Sequence, residues 1–269
     1  MTFFTYNGIS SADFGLHIES KNIFSAPEYD ISFQSIPGRS GDLIVSNNRF
    51  ANVKVTYTVF VRRNTVEDLS DLLRAVKGWL YTEPDRYHEI ADSYDSLYLR
   101  YGVISGSLDI EDQLNKVGCF TVTFNCKPYR YKKDGLLETS VTSGSSLFNP
   151  EAFSAKPLIT LTGSGDFTLT LQNGGYNRSW QFKGIESGIT CDSEQMNFYF
   201  GTQLLNDKVT GEDFPLLPPG ETVLTVSGDA EIAVRAVQAG NDMLCCTDFE
   251  VQVPAVIKAV ETGEITEER

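Results

Sequence analysis

Few residues in this chain have the chemistry to act as nucleophiles, bases or metal ligands at neutral pH: two histidines, His17 and His88, and five cysteines, Cys119, Cys126, Cys191, Cys245 and Cys246. Histidine is the side chain that ordinarily titrates near neutrality, and thiolates and imidazoles are the usual ligands of transition metals, so acid–base or metal chemistry tends to draw on these types. Here they form no HExxH pair, no CxxC pair and no Cys/His cluster, and the sequence has no Gly-x-Ser-x-Gly elbow, phosphate loop or EF-hand series. An odd number of scattered cysteines fits buried free thiols better than a disulfide framework or a zinc site. The 36 Asp and Glu residues leave a carboxylate pair for glycoside cleavage as a third reading, because such pairs are set by three-dimensional separation. The sequence therefore predicts no catalytic residue, no cofactor and no bound metal.

Charge narrows the partners. The formal net charge is −14, of which residues 1–135 carry −2 and residues 136–269 carry −12. Such asymmetry suggests two separately built units. An acidic second half repels phosphate backbones and anionic lipid, so protein or neutral sugar fits better than nucleic acid or membrane. The start Met1-Thr2-Phe3-Phe4 lacks the basic and apolar regions of a secretory signal, which predicts assembly in the cytoplasm or exit by another route. Gly144 and its Ser/Thr neighbours make 138–150 a candidate linker, between a domain over 1–137 and a domain over 151–269.

The elements come from periodicity. Val53 to Val61 alternates apolar and polar residues as a half-buried strand does. Asn64-Thr65 opens a helix whose Val66, Leu69, Leu72, Leu73, Val76 and Leu80 lie on one face, widened by Trp79. A further strand is read from Ser96 to Val103, and another from Phe120 to Cys126, stopped by Pro128. The second half gives short strands at 158–162, 167–171, 180–182, 189–191, 196–200, 221–226, 230–234 and 249–253, separated by turn residues. The fold class is mainly β, with one helix in the first domain and an antiparallel β-sandwich in the second.

Two segments are candidates for contact, although the first, taken alone, reads as a Gly/Pro surface turn before an ordinary strand. In Ile36-Pro37-Gly38-Arg39-Ser40-Gly41-Asp42, Pro37 fixes one dihedral, Gly38 and Gly41 open conformations closed to other residues, and Arg39 and Asp42 place opposite charges on the loop. In 87–101, Tyr87, Tyr94, Tyr98 and Tyr101 are interleaved with charges; tyrosine is enriched at protein interfaces because it brings large area at little rotamer cost, and a half-buried strand explains the same pattern equally well. Pro37, Gly38, Arg39, Gly41, Asp42, Tyr94, Tyr98 and Tyr101 are the candidate interface residues. The rival reading, a carbohydrate-binding sandwich for host-surface adhesion, would use Trp180, Tyr176 and Tyr199 as stacking platforms; Trp180 shares a strand face with Phe182, which favours core.

The order of the pieces resembles the distal tail (Dit) family of bacteriophages. The resemblance rests on Phe4-Thr5-Tyr6-Asn7-Gly8, Asp13-Phe14-Gly15-Leu16, the Pro37–Asp42 loop, the Leu/Trp helix and Phe124-Asn125-Cys126-Lys127-Pro128-Tyr129. In the second half it rests on Ala155-Lys156-Pro157-Leu158, Gly163-Ser164-Gly165-Asp166, Cys191-Asp192-Ser193-Glu194 and Phe214-Pro215-Leu216-Leu217-Pro218-Pro219-Gly220. It implies a non-enzymatic hub of a phage tail or tail-like particle, located in the virion baseplate. Tail-tube-like N-terminal domains would close a homohexameric ring, and galectin-like C-terminal sandwiches would project from it. The implied partners are further copies of itself, the tail tube protein, the tail-tip or tail-associated lysin protein, and a receptor-binding protein.

Overall fold

The computed structural model describes residues 2–228, 230–236 and 239–240. The strand read at 249–253, Cys245, Cys246 and the acidic tail lie outside the described residues. Two compact units are present, one ending at Tyr131 and the other starting at Lys132. Apart from short 3-10 turns, both are β, with one α-helix among the described residues.

The first unit contains β1 (Phe4–Tyr6), β2 (Ile9–Ser10), β3 (His17–Asn22), β4 (Tyr29–Gln34), β5 (Leu43–Phe50), β6 (Val53–Arg62), helix α1 (Val66–Leu80), β7 (His88–Asp92), β8 (Asp95–Ile104), β9 (Ile110–Gln113) and β10 (Val117–Lys132). Its main sheet has the order β2-β1-β7-β8-β10-β6-β3, with β9 also on β10. The alternation in β6 is realised as read: Val53, Val55, Tyr57, Val59 and Val61 are buried. Thr65 caps α1, its hydroxyl accepting from the Asp68 amide at 3.2 Å. Leu69, Val76, Trp79 and Leu80 are buried against the sheet, with Leu72 and Leu73 packed at the margin. Each such aliphatic side chain stabilises by about 1.5–3 kcal/mol when fully buried. Val66, in the first turn, is 49% exposed instead, before the helix meets the sheet. The Trp79 indole stacks on Phe14 and donates to the Tyr6 carbonyl at 3.0 Å, fixing the end of α1 to β1.

Strand β10 runs through Pro128, where a stop was expected. Its ladder with β6 ends at the Cys126–Val53 pair, so the missing N–H of Pro128 removes no bond on that side.

The second unit contains β11 (Glu138–Val141), β12 (Ser146–Asn149), β13 (Leu158–Gly163), β14 (Gly165–Asn173), β15 (Tyr176–Ile185), β16 (Gly188–Asp192), β17 (Asn197–Phe200), β18 (Gln203–Leu204), β19 (Val209–Thr210), β20 (Gly220–Ser227) and β21 (Ala230–Arg235). One sheet has the order β11-β21-β13-β16-β17-β18 and the other β12-β20-β14-β15-β19, and both supply the same core, including Ile159, Leu169, Trp180, Phe182, Ile189 and Leu224. This is the antiparallel sandwich. Residues 138–150, read as a linker, instead supply its edge strands β11 and β12, with β11 paired to β21 and β12 to β20. Small polar residues suit a solvent-facing edge strand as well as a flexible connection, so composition misleads there. Gly144, with φ +90°, makes the turn between them.

Candidate self-association surface

The Pro37–Asp42 loop is the tip of a hairpin. Strands β4 and β5 pair only with each other, as a two-stranded sheet separate from the main one. The tip turns at Pro37 and Gly38, whose φ of +78° only glycine adopts freely, and the Arg39 amide closes it on the Ile36 carbonyl at 3.1 Å. Arg39 and Asp42 are exposed there.

The faces of this arm differ. Phe33 is opposite Ile44 and Ile31 opposite Ser46, so Ile31, Phe33 and Ile44 share one face; Ser32 and Val45, with Gln34 and Leu43, form the other. Phe33 is 62% exposed and Ile44 60%. An isolated two-stranded hairpin is marginal in water, and one that shows large apolar side chains is an interaction surface or an aggregation hazard. Its root is well tied. The Asp30 carboxylate accepts from Asn47 and Arg49 at 2.9 and 2.6 Å, and these bonds, Asn47 first, hold its pKa below the usual carboxylate value. Tyr29 and Phe50 meet edge to face, and Phe50 packs in the same way on Tyr129.

The tyrosines lie elsewhere in the first unit and play different parts. Tyr98 lies under the Arg130 guanidinium, which pairs with Asp95. Tyr101 packs edge-on against Tyr131 and reaches Glu89 with its hydroxyl at 3.3 Å. Both are half-buried. Tyr94, in the β7–β8 turn, is 44% exposed; its ring faces the Lys21 ammonium, which also lies 5.8 Å from the Phe24 ring. Burial lowers the Lys21 pKa and nearby Asp92 opposes the shift. The sequence reading missed Ile31, Phe33, Ile44 and Phe24. The alternation Tyr29-Asp30-Ile31-Ser32-Phe33-Gln34 was the available signal, and it marks a strand without saying that its apolar side stays in water.

Among the described residues the groups with chemical potential do not converge. His88 is buried, its Nε2 3.1 Å from the Glu83 carbonyl, while His17 stacks on Phe60. Cys126 and Cys191 are buried and Cys119 partly so. Among the described residues no three His, Cys, Asp or Glu side chains are arranged to hold a metal, and no helix is long and apolar enough to cross a membrane. An open groove of about 750 Å³ carries Glu19, Asp109 and Glu111 among threonines.

Trp180 is sealed in the sandwich core at 1% exposure, its indole donating to the Asp213 carbonyl. Gly211 lies so close that a Cβ there would fall 2.3 Å from Trp180 Cδ1. Tyr176 accepts the Leu216 amide at 3.2 Å, and Tyr199 is half-buried on β17. These three rings offer no shared exposed platform.

The fold and surface define a two-unit, mainly antiparallel β protein carrying an extended, partly apolar arm. Residues 10–126 match the model of the phage tail protein RIFT-related domain. Among solved structures, the chain is similar to the Dit protein of phage SPP1, described as a paradigm of the hub adsorption apparatus in phages infecting Gram-positive bacteria. The TM-score is 0.69 at 15% identity, over 90% of this chain and 99% of that one. Two structures of the phage p2 baseplate in its activated conformation, with Ca and with Sr, align at 9% identity and a TM-score of 0.45, over 87% of this chain and 97% of theirs. No curated protein matches the sequence. Residues 10–126 of the first unit thus match a phage tail RIFT-related domain, and the chain shares the fold of the SPP1 Dit protein, as the resemblance implied.

Proposed function

We propose that this protein is a structural hub of a phage tail or tail-like particle, a distal tail component that closes a homohexameric ring through its first unit. The ring joins the tail tube on one face to the tail-tip or tail-associated lysin protein on the other. The acidic second unit supports a receptor-binding protein at the periphery. The protein's place is the virion baseplate, and its work is geometric, without bond-making chemistry.

The observation that carries this reading is the β4–β5 arm, which exposes Ile31, Phe33 and Ile44 and ends in the rigid Pro37–Asp42 tip. Head-to-tail rings need two different complementary patches on each protomer, and an arm that reaches a neighbour supplies one of them. The tip residues Pro37, Gly38, Arg39, Gly41 and Asp42, with Tyr94, Tyr98 and Tyr101, belong to this proposed interface; Tyr94 has the most freely offered ring of the three tyrosines. A sugar-binding sandwich is the weaker reading, because Trp180 spends its ring on the core.

Light scattering on the purified protein, with negative-stain imaging, tests the ring. Six times the chain mass and six-fold rings are expected. A chain that stays monomeric at high concentration and forms no ring overturns the proposal.

A further inference from the structure

Candidate surfaces among the described residues include the apolar face of the arm, the carboxylate groove on the first unit, and a cavity of about 230 Å³ beside Trp180 in the second. The small cavity is walled by Trp180 and Phe198, which are themselves buried core, and nothing marks a ligand for it. The groove and the arm differ sharply in chemistry. The groove presents Glu19, Asp109 and Glu111, whereas the arm face presents aliphatic and aromatic carbon.

A second exposed aromatic patch exists on the same unit. Phe24 is 65% exposed and Tyr94 44%, and the two rings flank the Lys21 ammonium. We infer that this Phe24–Lys21–Tyr94 patch is the seat on which the apolar face of the arm of a second copy lies, an assignment that rests on the self-association proposed above and names where the arm lands.

Three considerations select this seat. Its rings match the apolar face of Ile31, Phe33 and Ile44, whose burial away from water drives association, while the groove would set carboxylates against carbon. The charges also agree. Asp42 is exposed at the arm tip just before β5 begins at Leu43, and its carboxylate suits Lys21 and would be repelled by the groove. All five apolar and aromatic residues are between 36% and 65% exposed, so each has apolar surface to remove from water on association. The arm, with strands of six and eight residues, is about 20–25 Å long. Arm and seat are different patches, so the contact is heterologous and can repeat around a ring.

Complementary blocked variants test the pairing. Phe33→Asp disables the arm and leaves the seat; Phe24→Asp disables the seat and leaves the arm. Both positions are well exposed, so both variants are expected to give the parent circular dichroism spectrum, and Tyr94→Ser serves as a second seat variant. Each alone is expected to sediment as a monomer. Mixed in equal amounts at high concentration, they are expected to form a dimer of twice the chain mass and nothing larger, because only one contact survives and its ends are capped. If the parent chain assembles and the seat variants assemble equally well, the seat is wrong while the ring stands; if the mixture gives no dimer, the pairing is wrong. A parent chain that is monomeric overturns the ring and the seat together.

Discussion

The Tyr57 hydroxyl donates to Asp92 Oδ2 at 2.9 Å beneath the main sheet of the first unit, and Asp92 in turn accepts the Tyr94 amide at 2.8 Å, so one carboxylate ties β6 to the β7–β8 turn. Burial first, then the charge and hydrogen bond of Asp92, push the Tyr57 pKa well above 10. The neutral phenol is the form the fold favours. A folded-state pKa raised above the unfolded one means that this stabilisation is complete below about pH 10 and is lost as the pH climbs beyond it. Tyr57→Phe is expected to lower stability by about 1 kcal/mol at neutral pH, the usual net worth of one hydrogen bond, and to shed less stability than the parent in strong alkali. Thermal melts from neutral to alkaline pH check both; parallel curves for the two proteins would contradict the assignment. Residue identity alone did not reveal this pairing, because Tyr57 and Asp92 are distant in sequence. Trp180 was more legible: sharing a strand face with Phe182 already argued for core, and its burial agrees.

Among the elements, α1 and β6 were readable because each obeys one period along most of its length, 3.6 residues in the helix and two in the strand. The arm was not, since neither of its faces is buried by the rest of its own chain and periodicity reports burial. β11 and β12 were hidden by small polar residues that an edge strand tolerates. The connection after β19 shows how tightly an irregular segment can be held. Gly211 packs against the Trp180 ring with no space for a methyl group, and Leu217 exchanges both backbone hydrogen bonds with Ala155 at 2.8 and 2.9 Å. Gly211→Ala is therefore expected to cost about 1–3 kcal/mol through overpacking, read as a lower denaturant midpoint. An unchanged midpoint would mean that this segment moves aside freely.

At the scale of the whole molecule, the buried core of the first unit contains no residue from 29–50, and the arm meets the main sheet at its root, where Phe50 packs on Tyr129. Replacing residues 31–46 with a short Gly-Ser turn is expected to leave the melting temperature within a few degrees of the parent and to abolish assembly. Melting and mass measured on the same sample separate the two effects. A large loss of melting temperature would show the arm to be part of the fold.

The sequence by itself determined the mainly β class, the single helix, the sandwich and the resemblance to distal tail proteins, because each rests on local periodicity or on the order of motifs along the chain. It also placed the Pro37–Asp42 turn, whose backbone is dictated by proline and glycine. Only the tertiary structure decided that this turn caps a hairpin standing apart from the main sheet, that Tyr98 and Tyr101 are half-buried in intramolecular contacts while Tyr94 and Phe24 face water, and that residues 138–150 close the edges of a sandwich. Exposure is a property of what lies opposite a side chain, and what lies opposite is set by strands far away in sequence.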